Sequence, residues 1–136
     1  MKNNTINKLI NEAKDIANAN FCCKHSNFTV GVALLTKDGK VYKGFNIEND
    51  GIQSICAERT AFCKALTEGH KEFKCLAVVG KNLNDDYFKK TLPCGYCRQF
   101  ISEYTDKDFI IYSYDELKNE VYEYTIAELL PESFNL

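Results

Sequence analysis

No run in the 136-residue sequence is apolar for long enough to cross a bilayer, and the opening M-K-N-N-T-I-N lacks the apolar centre of a secretory leader. Basic residues are not in excess: 17 lysines and arginines stand against 19 acids, a net charge of −2. A dedicated nucleic-acid binder shows a basic stripe, so neither a membrane nor a nucleic acid is expected as partner. Only two prolines and seven glycines occur, and they form no linker, repeat or low-complexity tract. One catalytic-sized domain over residues 1–136, in the cytoplasm, is the expectation. Histidine is scarce as well, with His25 and His70 standing alone.

What the chain does have is cysteine. Seven is an odd number, which fits a disulfide framework poorly and fits thiols or metal ligands in a reducing compartment. Two of them sit three positions apart in L-P-C-G-Y-C-R-Q-F, residues 92–100. Two sulfurs make only part of a coordination sphere, so further ligands must come from elsewhere in the fold.

The pattern along the chain alternates strand and helix after a β-hairpin. Ile6, Leu9, Ile10, Ala13, Ile16 and Ala17 follow the three-and-four spacing of an amphipathic helix. V-G-V-A-L-L-T and V-Y-K-G-F-N flank K-D-G-K, whose Asp38-Gly39 pair suits a tight turn. After the polar loop I-E-N-D-G-I-Q-S, the segment from Cys56 reads as a helix stopped by Gly69. F-K-C-L-A-V-V-G has the continuous apolar character of a strand covered on both faces. K-N-L-N-D-D-Y-F-K-K reads as a loop, P-C-G-Y-C-R-Q-F-I-S-E-Y as the next helix with Pro93 at its edge, and D-F-I-I-Y-S and V-Y-E-Y-T as strands. Thr125 and Glu128 are spaced as a capping box for a closing helix. An α/β sandwich with a mixed sheet follows.

Cys56 is the best third partner for Cys94 and Cys97, because Glu58 and Arg59 follow it at once. Three sulfurs suit zinc, which takes four protein ligands in structural sites and three in catalytic ones, leaving the last position open. Both Cys56 and Cys94 fall where a helix should start, and backbone N–H groups there favour a thiolate. Three thiolates leave one negative charge in excess around Zn²⁺, and Arg59 is the candidate to offset it. Glu58 can take a proton from water at the open position and later deliver it to a leaving group. Residues two apart in a helix point about 200° away from each other, so Cys56 must sit at the cap for Glu58 to face the same site. Cys63 lies about 10 Å further along the helix and cannot share the metal. Cys22, Cys23 and Cys75 are expected to pack as small buried hydrophobes.

C-A-E-R-T-A, with Cys56 separated by 37 residues from Cys94 in P-C-G-Y-C-R-Q, resembles the zinc-dependent cytidine deaminase family, and the likeness runs from about residue 26 to the end. Cysteine in place of histidine before x-E points to the small nucleoside branch. The resemblance implies a three-layer α/β/α sandwich around a mixed, about five-stranded sheet. It implies one Zn²⁺ per subunit on Cys56, Cys94 and Cys97, with Glu58 as proton shuttle. It further implies that Asn46 and Glu48, in N-I-E-N, bind the ribose and that Phe28 lines the base pocket. Phe134, in L-L-P-E-S-F, is the counterpart of a residue inserted into a neighbour's site, and a homotetramer with shared active sites goes with it. The implied reaction is hydrolytic deamination of cytidine or deoxycytidine.

Two departures bear on the substrate. Six residues, D-G-I-Q-S-I, separate N-I-E-N from Cys56, where typical members have one more and carry a tyrosine; the shorter spacing is similar to that of blasticidin S deaminases. Leu92 stands before Pro93, where the family often has serine. The rival expectation is a zinc-stabilised binding module with Cys63 or a histidine closing the sphere.

Overall fold

The strand Phe28–Thr36 (β1) has side chains needed on both of its faces. Val32 and Leu34 pack into one cluster of buried apolar residues, Ala33 and Leu35 into another, as the two-residue period of a strand dictates. A sheet apolar on both sides must be covered on both sides, and that sets the architecture. The computed structural model describes residues 2–51 and 53–136; Ile52, within the 50–55 stretch singled out above, lies outside them.

Helix Asn3–Asn18 (α1) covers one face, burying Ile6, Leu9, Ile10, Ala13 and Ala17 against Cys75, Ala77, Val79 and Tyr112. Helices Ala57–Thr67 (α2) and Gly95–Tyr104 (α3) cover the other, where Phe62 and Ile101 are completely buried among Val32, Leu34, Leu76, Val78 and Ile111. Phe62 also meets Phe73 edge-on at 5.0 Å. Truncating a side chain so enclosed costs about 3–5 kcal/mol, so this aromatic centre anchors α2 to the sheet.

Between the helices lie strands Val41–Phe45 (β2), Phe73–Asn82 (β3), Lys89–Lys90 (β4), Ile110–Asp115 (β5) and Glu120–Thr125 (β6). Their order is β2-β1-β3-β5-β6, with β4 paired to β3. β1 is antiparallel to β2 and β3, β3 is parallel to β5, and β5 is antiparallel to β6. The sheet is mixed and sandwiched in three layers, as expected. Gly39 closes the hairpin turn at φ +94°, a backbone that favours glycine.

The expected strand count of about five is one short. β4 pairs Lys89 and Lys90 with Gly80 and Val79 inside a stretch read as loop. Two lysines carry no strand pattern of their own. Their backbone is drawn in because the chain doubles back beside β3 and Phe88 is fastened to Glu116, its N–H donating to Oε1 at 2.7 Å and its carbonyl accepting from the Glu116 N–H at 2.9 Å. The capping box is present: Glu128 N–H donates to Thr125 Oγ1 at 3.1 Å, Thr125 N–H to Glu128 Oε1 at 2.8 Å, opening helix Ile126–Leu129 (α4). Among the described residues no helix is long and apolar enough to cross a membrane.

Candidate active site

The parallel strands β2, β3 and β5 direct their carboxyl ends to one edge of the sheet, where ligands gather in open α/β folds. The segments leaving β2 and β4 start α2 and α3 at this edge, so two helix N-termini converge. Cys56 and Cys94 are the respective N-cap residues, both with extended backbone (φ −70°, ψ 153° and φ −67°, ψ 171°). Neither sulfur accepts a capping hydrogen bond, so both remain available to face one another. Their Sγ atoms lie 3.8 Å apart, and Cys97, fully buried at the third position of α3, completes a trio within 4.8 Å.

The donor set fits zinc. Two sulfurs on a tetrahedral ion with bonds of about 2.3 Å stand about 3.8 Å apart, which is the Cys56–Cys94 spacing. Among the described residues no fourth histidine, cysteine or carboxylate joins the group. Cys63 is exposed elsewhere on α2, and the histidines pair with Asp50 (3.2 Å) and Asp38 (3.7 Å). The set is three sulfurs and an open side, against a closed structural sphere.

Placing Cys56 at the cap removes the helix-geometry objection. Glu58, the second residue of α2, lies only 4% exposed and lines the same cavity as Cys56 and Cys94. Burial pushes its carboxyl up to about 7, the Cys56 thiolate adding to the effect. The sulfurs divide their protons unequally. Cys56 is drawn down to about 5, chiefly by a hydrogen bond from Cys97, against the pull of burial and with help from Arg59 and Cys94. Cys97 is raised correspondingly because it holds the shared proton and is buried. Arg59 Nη2 donates to Cys56 Sγ at 3.6 Å and to the Ser54 carbonyl at 3.5 Å, while its guanidinium lies over the Tyr96 ring at 4.2 Å. The expected arginine–sulfur contact is therefore present, with Tyr96 as a platform that nothing in its spacing announced.

The cavity measures about 220 Å³, with apolar walls from Val30, Ile55, Ala57 and Leu92 and polar positions from Asn46, Glu48, Glu58 and Thr91. A second cleft of about 250 Å³ near Lys37, Phe73 and Asp106 contains none of these groups. Asn46 and Glu48 are side by side, with Asn46 Nδ2 3.4 Å from Glu48 Oε2. The Glu48 carboxylate also accepts from the His25 and Ser26 N–H groups, both at 3.0 Å, and from Ser26 Oγ at 2.5 Å. Burial opposes ionisation of Glu48, yet these donors outweigh it and hold the carboxyl below its ordinary 4.5.

A depressed carboxyl stabilises the fold above its unfolded value and loses the contribution as pH falls through the lower folded value. Glu48→Gln protein is therefore expected to be less stable than the parent at pH 6, with the gap narrowing as pH drops below about 4.5. Urea midpoints for both proteins at pH 6 and pH 3.5 measure it. A gap independent of pH would assign the loss to packing.

Phe28 and Phe134 are placed differently from the other candidates. The Phe28 ring lies beside Gly80, where an added Cβ would come within 2.8 Å of it, and under Lys89 Nζ at 5.2 Å. Its carbonyl, instead, receives Asn46 Nδ2 at 2.9 Å. Phe134 is 64% exposed, its backbone tied to Gln99 of α3 by bonds of 3.2 and 2.9 Å. Cys23 and Cys75 are buried as expected, but Cys22 is only half-buried, and its carbonyl turns toward the loop after β2 to accept Glu48 N–H at 2.9 Å. Sequence reading also passed over Ser113, fully buried, whose Oγ accepts the Thr91 N–H at 2.9 Å and steadies the segment before Pro93. A lone serine in an apolar strand was its only signal.

A family model of the cytidine and deoxycytidylate deaminase zinc-binding region matches residues 3–113. The cytidine deaminase of Sporosarcina psychrophila is 43% identical over 131 residues, 96% of this chain and 91% of that protein. The crystal structure of cytidine deaminase from Burkholderia pseudomallei superposes with a TM-score of 0.81 at 35% identity, covering 98% of this chain and 100% of that one. A more distant relative, the blasticidin-S deaminase of Bacillus cereus, is 32% identical over 106 residues, 75% of this chain and 74% of that protein. These matches carry the likeness through α1, beyond the point near residue 26 where the motifs begin.

Proposed function

We propose that this chain, which belongs to the cytidine and deoxycytidylate deaminase family, catalyses the zinc-dependent hydrolysis of cytidine or deoxycytidine to the uridine product and ammonia. The observation that carries the reading is a cluster of three sulfurs, two of which, Cys56 and Cys94, line one apolar-walled cavity together with the buried Glu58 carboxylate.

Cys56, Cys94 and Cys97 would hold Zn²⁺, one per subunit. Bound there, the metal supplies a Lewis acid that makes water a stronger nucleophile at neutral pH. Glu58 removes one proton from the attacking water and delivers it to ring N3, then takes the second from the newly added C4 hydroxyl and gives it to the departing amine as the C4–N bond breaks. Its burial matches the task, since a carboxyl shifted toward neutrality can both accept and return a proton. Arg59 sets a positive charge against Cys56 and offsets the surplus negative charge of three thiolates. Val30, Ile55, Ala57 and Leu92 enclose the flat base and keep water away. A sugar hydroxyl seated between Asn46 Nδ2 and Glu48 Oε2 would accept from the first and donate to the second.

The exposed Phe134 ring, on a segment held by Gln99, supports a homotetramer in which that ring reaches a neighbour's cavity. The odd count of seven cysteines supports a reducing, cytoplasmic setting, and a nucleoside substrate supports a role in salvaging pyrimidines.

The test is ammonia release from cytidine, deoxycytidine, cytosine, adenosine and blasticidin S, with zinc quantified on the same sample. Release from the first two, abolished by a chelator and restored by Zn²⁺, is expected. The short 50–55 segment makes blasticidin S the informative competitor, and preference for it would reassign the substrate. Zinc-loaded protein that releases ammonia from none of them would overturn the proposal.

A further inference from the structure

The sugar side of the cavity depends on which way one amide faces. Asn46 Oδ1 accepts from the Val30 N–H at 2.9 Å and from Asn20 Nδ2 at 2.8 Å. With two donors on its oxygen, the amide cannot turn over without opposing N–H to N–H. Its Nδ2 is consequently held toward the Phe28 carbonyl and the Glu48 carboxylate, at 2.9 and 3.4 Å. The second contact is long, so that hydrogen remains available for a hydroxyl lying between them.

Asn20 itself is locked from both ends. Its Oδ1 accepts the Cys22 N–H at 2.7 Å, and its Nδ2 also reaches Thr29 Oγ1 and the Asn46 carbonyl, each at 3.2 Å. Thr29, 1% exposed, donates its own hydroxyl to the Ala17 carbonyl at 2.8 Å and can therefore only accept from Asn20. Every group facing Asn20 Nδ2 is an acceptor, so a donor is required there.

The geometry points to Asn20 as a positioning residue for the sugar site: it ties the end of α1 to Asn46 and fixes the direction in which Asn46 presents its N–H beside Glu48. It touches no reacting atom and acts through Asn46. The inference rests on the reading of Asn46 and Glu48 as sugar ligands.

Asn20→Asp is the sharp test, because it preserves shape and the acceptor for Cys22 while setting an oxygen against three acceptors. An unsatisfied, partly buried polar pair is costly enough that the KM for cytidine should rise about tenfold, with kcat changed less than about threefold. The Asn46 side-chain NH₂ signals in a ¹⁵N-correlated NMR spectrum of the substrate-free protein should move as well. Should the aspartate variant fail to fold, Asn20→Ala, which deletes the donor without adding charge, should shift both readouts in the same direction by a smaller amount. A fall in Tm with unchanged KM and unchanged Asn46 signals overturns the inference, as does a KM raised by Asn46→Ala but by neither Asn20 variant. If the Asn46 signals move while KM responds to neither Asn46→Ala nor the Asn20 changes, the positioning stands and the sugar-ligand reading fails.

Discussion

Glu58→Gln protein should keep its zinc and lose almost all turnover. Glutamine preserves size and leaves the three sulfurs in place, but it cannot take a proton from water or return one to the leaving amine. Proton transfer by a positioned side chain is worth about 10²–10⁴ in rate, so kcat should drop by that much at unchanged metal content. A variant with full zinc and a kcat within about tenfold of the parent would remove Glu58 from the chemistry.

The same substitution should stabilise the protein when zinc is withdrawn, and this separates a catalytic carboxylate from a structural one. Glu58 is buried, and its carboxyl rises from an ordinary 4.5 to about 7. A folded state that holds a proton more tightly than the unfolded chain loses stability as pH climbs from the unfolded value through the folded one. For this shift the loss is on the order of 3 kcal/mol, complete above about pH 7. Glutamine has no charge to bury, so metal-free Glu58→Gln should exceed the metal-free parent in urea stability at pH 8 and differ little at pH 4.5. Stability given up for a charge at the reacting centre is the trade expected of an active site.

Much of this arrangement is legible in the sequence alone. The hairpin around Asp38-Gly39, the helix stop at Gly69 and the Thr125–Glu128 box are local devices, in which adjacent residues settle their own backbone. The three sulfurs were legible because their spacing has few other uses, and the need for Cys56 to sit at a cap followed from helix geometry alone. What stayed hidden depends on groups distant in sequence. β4 exists because Val79 and Gly80 offer backbone partners to two lysines with no pattern of their own. The Phe28 ring packs beside Gly80 because a glycine on the neighbouring strand leaves room for it. Asn20 carries no motif; its meaning comes from Asn46, brought within 2.8 Å across 26 positions of chain.

Gly44→Ala is expected to be the most damaging methyl that can be added on this face of the sheet, and to damage the metal site from behind. Gly44 lies on β2 where α2 crosses it, and a Cβ there would come 2.7 Å from the Ala61 nitrogen and 2.8 Å from the Ala57 oxygen. Both are backbone atoms of the helix, so no side chain can rotate to make room, and the helix must lift. Overpacking of this kind costs about 1–3 kcal/mol, and rigid neighbours place it at the upper end. For a chain of this length that is a Tm lowered by roughly 8–12 °C. Ala57 is the first residue of α2, between Cys56 and Glu58, so the displacement falls on the turn that aims a sulfur and the Glu58 carboxylate at one cavity. Zinc retention against a chelator should fall together with Tm, and kcat should fall even in samples reloaded with metal. Gly44→Ala protein with parental Tm and parental zinc retention would mean that α2 does not bear on β2 as closely as its backbone contacts require.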